Sequence, residues 1–255
     1  MPEIWEHPFG NALLKIERAN KHIADIERRV LSSPDTYGPR LNMDGKTGEQ
    51  FLSYSLTDRN LRRDIALIVG DAVHNLHCAL DISYRETMRI VSPPGFDPSR
   101  TKFPVGNNQK HLESSLTETA KVAVGSPLFV FLVERVKSYV GGDADICALH
   151  RLDIDDKHHL LIPMLTVMGV NGVQLEDENG AVSNVAIALT RPNYYRMTVP
   201  LGTKLKNHGH ATFRITFSEG DMLKDAEVIP TLQRFSAKSL KIVRIFQRIA
   251  TRRWP

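Results

Sequence analysis

Between Asp58 and Ile90, small and apolar side chains recur at steps of three and four: Leu61, Ile65, Ile68, Ala72, Leu76, Ala79 and Ser83. This period predicts one amphipathic helix, about 50 Å long at 1.5 Å per residue. So long an apolar stripe must be covered along its length, which makes the helix the spine of a bundle. Ser92-Pro93-Pro94-Gly95 stops it, and Pro98 and Pro104 keep the stretch to Asn108 irregular.

Shorter helices are expected around the spine. Leu13, Ile16, Ile23, Ile26 and Val30 mark one that Asn11 can cap and Ser32-Ser33-Pro34 ends. Gln109 to Val124 reads as a weak helix. Ser126-Pro127, an N-cap followed by proline at the first helical position, opens one expected to run through Val140 and stop at Gly141-Gly142. Asp143 caps another that reaches about Lys157.

Arg40 to Leu56 reads as a hairpin around Asp44-Gly45-Lys46-Thr47-Gly48. After Pro163 the pattern changes. Val182 to Leu189 and Thr212 to Phe217 alternate or run β-branched, and Asn171-Gly172 and Asn179-Gly180 are hairpin-turn pairs. A last helix follows Pro230. The expected class is α+β. Residues 1–159 form a helical bundle with a small hairpin, 160–229 a mostly antiparallel β section, and 230–255 a C-terminal helix packing back on the bundle.

With 42% hydrophobic and 24% charged residues in 255, the chain can bury a substantial core. That excludes collagen-like, disordered and disulfide-scaffold classes. Two cysteines point to a reducing compartment. Met1 to Glu6 lacks a basic segment followed by an apolar one. The longest unbroken apolar run, Leu128 to Val133, is too short to span a bilayer. A cytoplasmic protein with no membrane partner is expected, acting as a homodimer.

The net charge of +4 is unevenly spread. Seven cations and no acid lie between Thr231 and Pro255, so the preceding 230 residues carry a net −3. Six of the seven, Arg234, Lys238, Lys241, Arg244, Arg248 and Arg252, share one face of the last helix. Such a face suits the phosphates of RNA or a nucleotide. It equally suits the solvated side of a core helix, ion-paired to the acidic body, or a helix lying on a membrane surface.

Two clusters concentrate the reactive groups. On the long helix His74, His77 and Asp81 form one stripe with Gly70, Tyr84 and Met88, opposite the main apolar stripe and suited to line a cleft. The second cluster is His150-Arg151-Leu152-Asp153-Ile154-Asp155-Asp156-Lys157-His158-His159, where helix gives way to strand. The two are expected to meet, with His74, His77, Asp81, Lys157 and His158 as catalytic candidates. Asp71 and Asn75 are expected to be structural, bonding to the loop near Phe103, while His77 is expected to be replaceable without loss of stability. His74 with Cys78, and Cys147 with His150, have helical spacings that place two ligands on one face; together they would make a zinc shell.

The run Gly70-Asp71-Ala72-Val73-His74-Asn75-Leu76-His77-Cys78-Ala79-Leu80-Asp81, with Asp156-Lys157-His158 further on, resembles the GDxxHNLRSALDH and DKHR motifs of a widespread bacterial family of uncharacterised proteins. The resemblance covers most of the chain in order and implies a helical bundle with a β portion. It carries no assigned activity. The RSALDH segment is similar to HEPN domains, nucleotide-binding helical bundles that include many ribonucleases of toxin and defence systems, with an Arg and a His a few residues apart in the active site. Here His77 stands where the family has Arg and Ile82 where it has His, so that pair is not kept. Arg151 and His158 have a suitable spacing, but composition alone also produces it by chance.

Three functions fit these residues. The leading one is a HEPN-like RNA- or nucleotide-binding protein with a weakened or lost metal-independent ribonuclease activity and no cofactor. The second is a metal-dependent hydrolase using His74, His77, Asp81, His150 and His158. The third is a non-catalytic interaction protein, such as the neutralising half of a toxin–antitoxin pair.

Overall fold

The computed structural model describes residues 8–31, 39–55, 59–159, 161, 163–188, 194–218 and 223–251. In chain order the elements are α1 (Gly10–Leu31), β1 (Arg40–Met43), β2 (Gln50–Ser55), α2 (Arg59–Val91), α3 (Gln109–Ser114), α4 (Pro127–Val130), α5 (Ala144–Asp156), β3 (Met164–Glu176), β4 (Val182–Ala188), β5 (Tyr194–Thr198), β6 (Lys204–Thr216) and α6 (Val228–Ala250). The fold is mixed α+β with a long central helix. The residues group into two units: Met1–Ala24, Leu67–Leu161 and Ile229–Pro255 in one, Asp25–Ala66 and Ile162–Val228 in the other.

In the helical unit α2 is buried on more than its apolar stripe. Ala72, Leu76 and Ala79 are inaccessible, but so are Tyr84 at 2% and Met88 at 1% exposure on the histidine side. The open cleft expected on that side is therefore filled. By length and composition α2 could cross a membrane, yet most of its apolar window is packed inside the protein, as in a core helix. Phe246 of α6 joins this core, its ring centroid 5.9, 6.1 and 5.4 Å from those of Tyr84, Phe103 and Phe131. The tilted and edge-on geometries are those aromatic quadrupoles favour. They fix the C-terminal helix to the helical unit.

Two of the three caps read from the sequence form, while Asn11 lies inside α1, which begins at Gly10. Ser126 Oγ accepts the Phe129 N–H, and Asp143 Oδ1 accepts the Ile146 N–H. The helix opened by Ser126 stops earlier than expected. It widens into a π-helix over Phe131–Val136 and ends at Lys137, whose φ of 54° is left-handed. Gly142 has a different purpose from a helix stop: a Cβ there would strike the Lys137 carbonyl oxygen. That close approach seats Asp143.

The sheet unit holds two antiparallel sheets, ordered β1-β2-β5 and β4-β3-β6. The hairpin thus belongs to this unit rather than to the bundle, β2 pairing with β5 through Leu52↔Met197. Asn171-Gly172 is not a turn. β3 continues through it, and Gly172 at φ 73° sits where the register shifts between Val170 and Val173, a β-bulge. Asn179-Gly180 does turn the chain from β3 to β4, with Asp177 Oδ1 accepting the Asn179 and Ala181 N–H groups.

Candidate acid–base site on helices α2 and α5

Both helices carry their polar groups at steps of three and four: His74, His77 and Asp81 on α2, His150, Asp153 and Lys157 on α5 and its end. The two stripes face each other within the helical unit. Gly70 permits the approach, because the Asp156 carboxyl occupies the space a Cβ would take. Burial, with the neighbouring Asp153 and Asp71 charges, raises the Asp156 carboxyl above its ordinary range.

Asp153 is the centre of the cluster, only 1% exposed. Its Oδ1 lies 2.9 Å from His74 Nδ1, and its Oδ2 lies 3.2 Å from His77 Nδ1 and close to Lys157 Nζ. Burial alone would raise this carboxyl. The Lys157 hydrogen bond, the His77 charge and the His74 hydrogen bond outweigh it and hold Asp153 below its usual value. The same pairing lifts Lys157 above the ordinary lysine range.

His77 is 5% exposed, and its burial pushes the imidazole below 6.5 against the opposing pull of Asp81 and Asp153. It therefore holds one proton at neutral pH. The two carboxylate charges nearest Nδ1, Asp153 at 3.2 Å and Asp81 at 3.7 Å, favour that proton on Nδ1. Nε2 must then accept, and the group 3.0 Å away is His150 Nδ1. His150 is lowered too, first by burial and then by His77. Neutral and donating from Nδ1, it keeps a lone pair on Nε2, for which no hydrogen-bond partner occurs among the described residues. The order Asp153–His77–His150 is a relay in which a buried carboxylate lies in charge contact with one imidazole, and that imidazole is hydrogen-bonded to a second, half-buried one.

The remaining candidates take other places. Asp81 Oδ1 accepts the Phe103 N–H at 2.8 Å, the loop-holding role expected of Asp71 and Asn75. Asn75 instead donates to the Asp71 carbonyl at 2.7 Å and accepts from Lys15 Nζ at 3.1 Å. His77 is buried, with Nε2 hydrogen-bonded to His150 and Nδ1 3.2 Å from Asp153, a setting in which its replacement is expected to cost stability rather than leave it unchanged. His158 is exposed and outside the cluster, and His150 stands in its place. Arg151 pairs with Asp155 at 3.0 Å.

The His74, Cys78, Cys147, His150 shell is not assembled. Cys78 Sγ lies 3.3 Å from His74 Nε2, His150 bonds to His77, and Cys147 is buried. Among the described residues no group of three or more His, Cys, Asp or Glu is arranged to hold a metal ion. Burial raises the Cys78 thiol, so it stays protonated and donates to His74 rather than serving as a thiolate.

On α6, Arg234 pairs with Asp145 at 2.9 Å, and Lys238 with Asp143 at 2.7 Å and Asp145 at 2.9 Å. Lys241, Arg244 and Arg248 are exposed and unpaired among the described residues. Arg252 lies outside the described residues. Of the five described cations on this face, two are thus held in internal ion pairs and three are open.

The sequence placed Asp153 in the second cluster without singling it out as a site residue. The signal was present, since it lies three residues after His150 and four before Lys157 on one helical face. No family model, no curated protein and no solved structure matches this chain.

Proposed function

We propose that the helical unit is an RNA-binding acid–base centre that cleaves phosphodiesters without a metal, His150 serving as general base. The observation that carries this reading is the Asp153–His77–His150 relay, which supports a neutral imidazole with a free lone pair at physiological pH. His150 Nε2 takes the proton of a ribose 2′-hydroxyl, and that oxygen attacks the adjacent phosphorus. The bond to the 5′-oxygen breaks, its electron pair leaves on that oxygen, and a proton from water completes a 5′-hydroxyl and a 2′,3′-cyclic phosphate. As the imidazolium forms, its charge is shared through His77 with Asp153. Lys157 offsets the negative charge that gathers on phosphorus oxygens. Lys241, Arg244 and Arg248 hold the backbone. This keeps the RNA direction of the HEPN-like resemblance but moves the chemistry to a different pair of residues.

The test is cleavage of a labelled single-stranded RNA in EDTA by the intact chain and by His150→Gln. The expected result is a cyclic-phosphate product that the substitution removes, with binding that weakens steeply as salt rises. Cleavage that needs an added divalent ion points to the metal-dependent class instead. RNA neither bound nor cut rejects the reading in favour of an interaction protein.

A further inference from the structure

The π-helical segment Phe131–Val136 and α6 line an open-mouthed cavity of about 300 Å³ beside the α5 cap. Ile242 and Ile245 form part of its wall, and Arg135, Lys238, Lys241 and Asp143 supply its charges. Asp143 is already matched, its carboxylate 2.7 Å from Lys238 Nζ. Arg135 and Lys241 are exposed and have no acidic partner among the described residues. The cavity therefore joins an apolar wall to two unmatched positive charges.

We propose that this cavity is a subsite seating one nucleotide, its phosphate on Arg135 and Lys241 and its sugar or base on the isoleucine wall. The proposal rests on the RNA reading above and deepens it. A bare phosphate would leave the apolar wall uncovered, and an uncharged nucleoside would leave the two cations unmatched. The volume lies at the small end of ligand pockets, the scale of a single nucleotide. Arg244 and Arg248 follow Lys241 at steps of three and four, continuing the cationic path along α6. Asp143, at the cavity rim, precedes His150 by two turns of α5, about 10 Å, so one strand seated here can also reach the relay.

Calorimetric titration of the intact protein with adenosine 5′-monophosphate, adenosine and inorganic phosphate tests the subsite. The monophosphate is expected to bind at least tenfold tighter than either fragment. Arg135→Glu and Lys241→Glu, both surface changes checked for folding by circular dichroism, are each expected to weaken it about tenfold. Each should raise the KM for RNA with kcat unchanged. Monophosphate binding that ignores both reversals overturns the subsite, as does no binding at all. So does capture by phosphatidylserine vesicles that displaces the monophosphate, which would assign the charges to a lipid headgroup. His150-dependent RNA cleavage without monophosphate binding removes the subsite and leaves the base reading intact. Charge-dependent monophosphate binding without cleavage does the opposite.

Discussion

Helix α5 carries aspartates at both ends, and they behave differently. At its start Asp143 and Asp145 face Arg234 and Lys238. The Lys238 ammonium, despite a burial penalty, is held above its ordinary range by Asp143 and Asp145. Near its end Asp153 faces two imidazoles and one lysine. The first arrangement fixes a helix in place. The second can pass a proton through His77, whose imidazole is held below 6.5 by burial. Whether a carboxylate on one helix is mortar or machinery depends on the proton-holding strength of what it touches.

Removing the carboxylate should separate the two ends most sharply. Asp153→Ala leaves the buried His77 without its nearest carboxylate and Lys157 and His74 without their acceptor, and is expected to lower stability by about 1–3 kcal/mol, read by urea denaturation. A loss below 1 kcal/mol would mean the cluster is more solvated than its 1% exposure implies. Gly142→Ala attacks the seat of the other end. Its Cβ meets backbone, the Lys137 carbonyl, which cannot swing aside. An overpacking loss of about 1–3 kcal/mol is expected, with the Asp143 cap disturbed.

Acid should act on the imidazole end first. His77 and His150 have folded values lowered from 6.5, so below that pH the unfolded chain takes up protons that the folded chain refuses. Stability is therefore present in full above 6.5 and declines as pH falls from there towards the folded values. The slope is at most about 1.4 kcal/mol per pH unit for each group. His77→Gln should flatten this decline. A protein that grows more stable between pH 6.5 and 5 would contradict the assignment. The smallest effect is expected from Lys238→Ala. The pair is partly solvated, Lys238 being 29% exposed, and about 0.5–1 kcal/mol is expected. A larger loss would make the paired end as critical as the relay.

Local signals were legible and distant ones were not. The period that begins at Leu61 placed the long helix within a residue of Arg59–Val91, and Ser126 and Asp143 marked their helix starts, because caps and stripes depend on near neighbours. Asn171-Gly172 misled because a bulge and a hairpin turn demand the same left-handed glycine, and only the partner strand distinguishes them. The meeting of the two polar stripes was foreseen, but not which histidine of the second would face the first. Asp153 lies 79 residues from His74, and the side of α5 turned towards α2 is set by packing, including the Asp156 contact at Gly70. For the same reason Tyr84 and Met88 looked like cleft residues and are core.

The central claim concerns where two protons sit, and nitrogen-15 NMR of the imidazoles reads this directly. The account predicts His77 and His150 both neutral at pH 7, each protonated on Nδ1, with the His77 shift moving towards that of an ordinary exposed imidazole in Asp153→Asn. It also predicts that both titrate below 6.5. A His77 that is protonated on Nε2, or that stays doubly protonated at pH 7, would contradict it, since His150 would then have no free lone pair to act as a base.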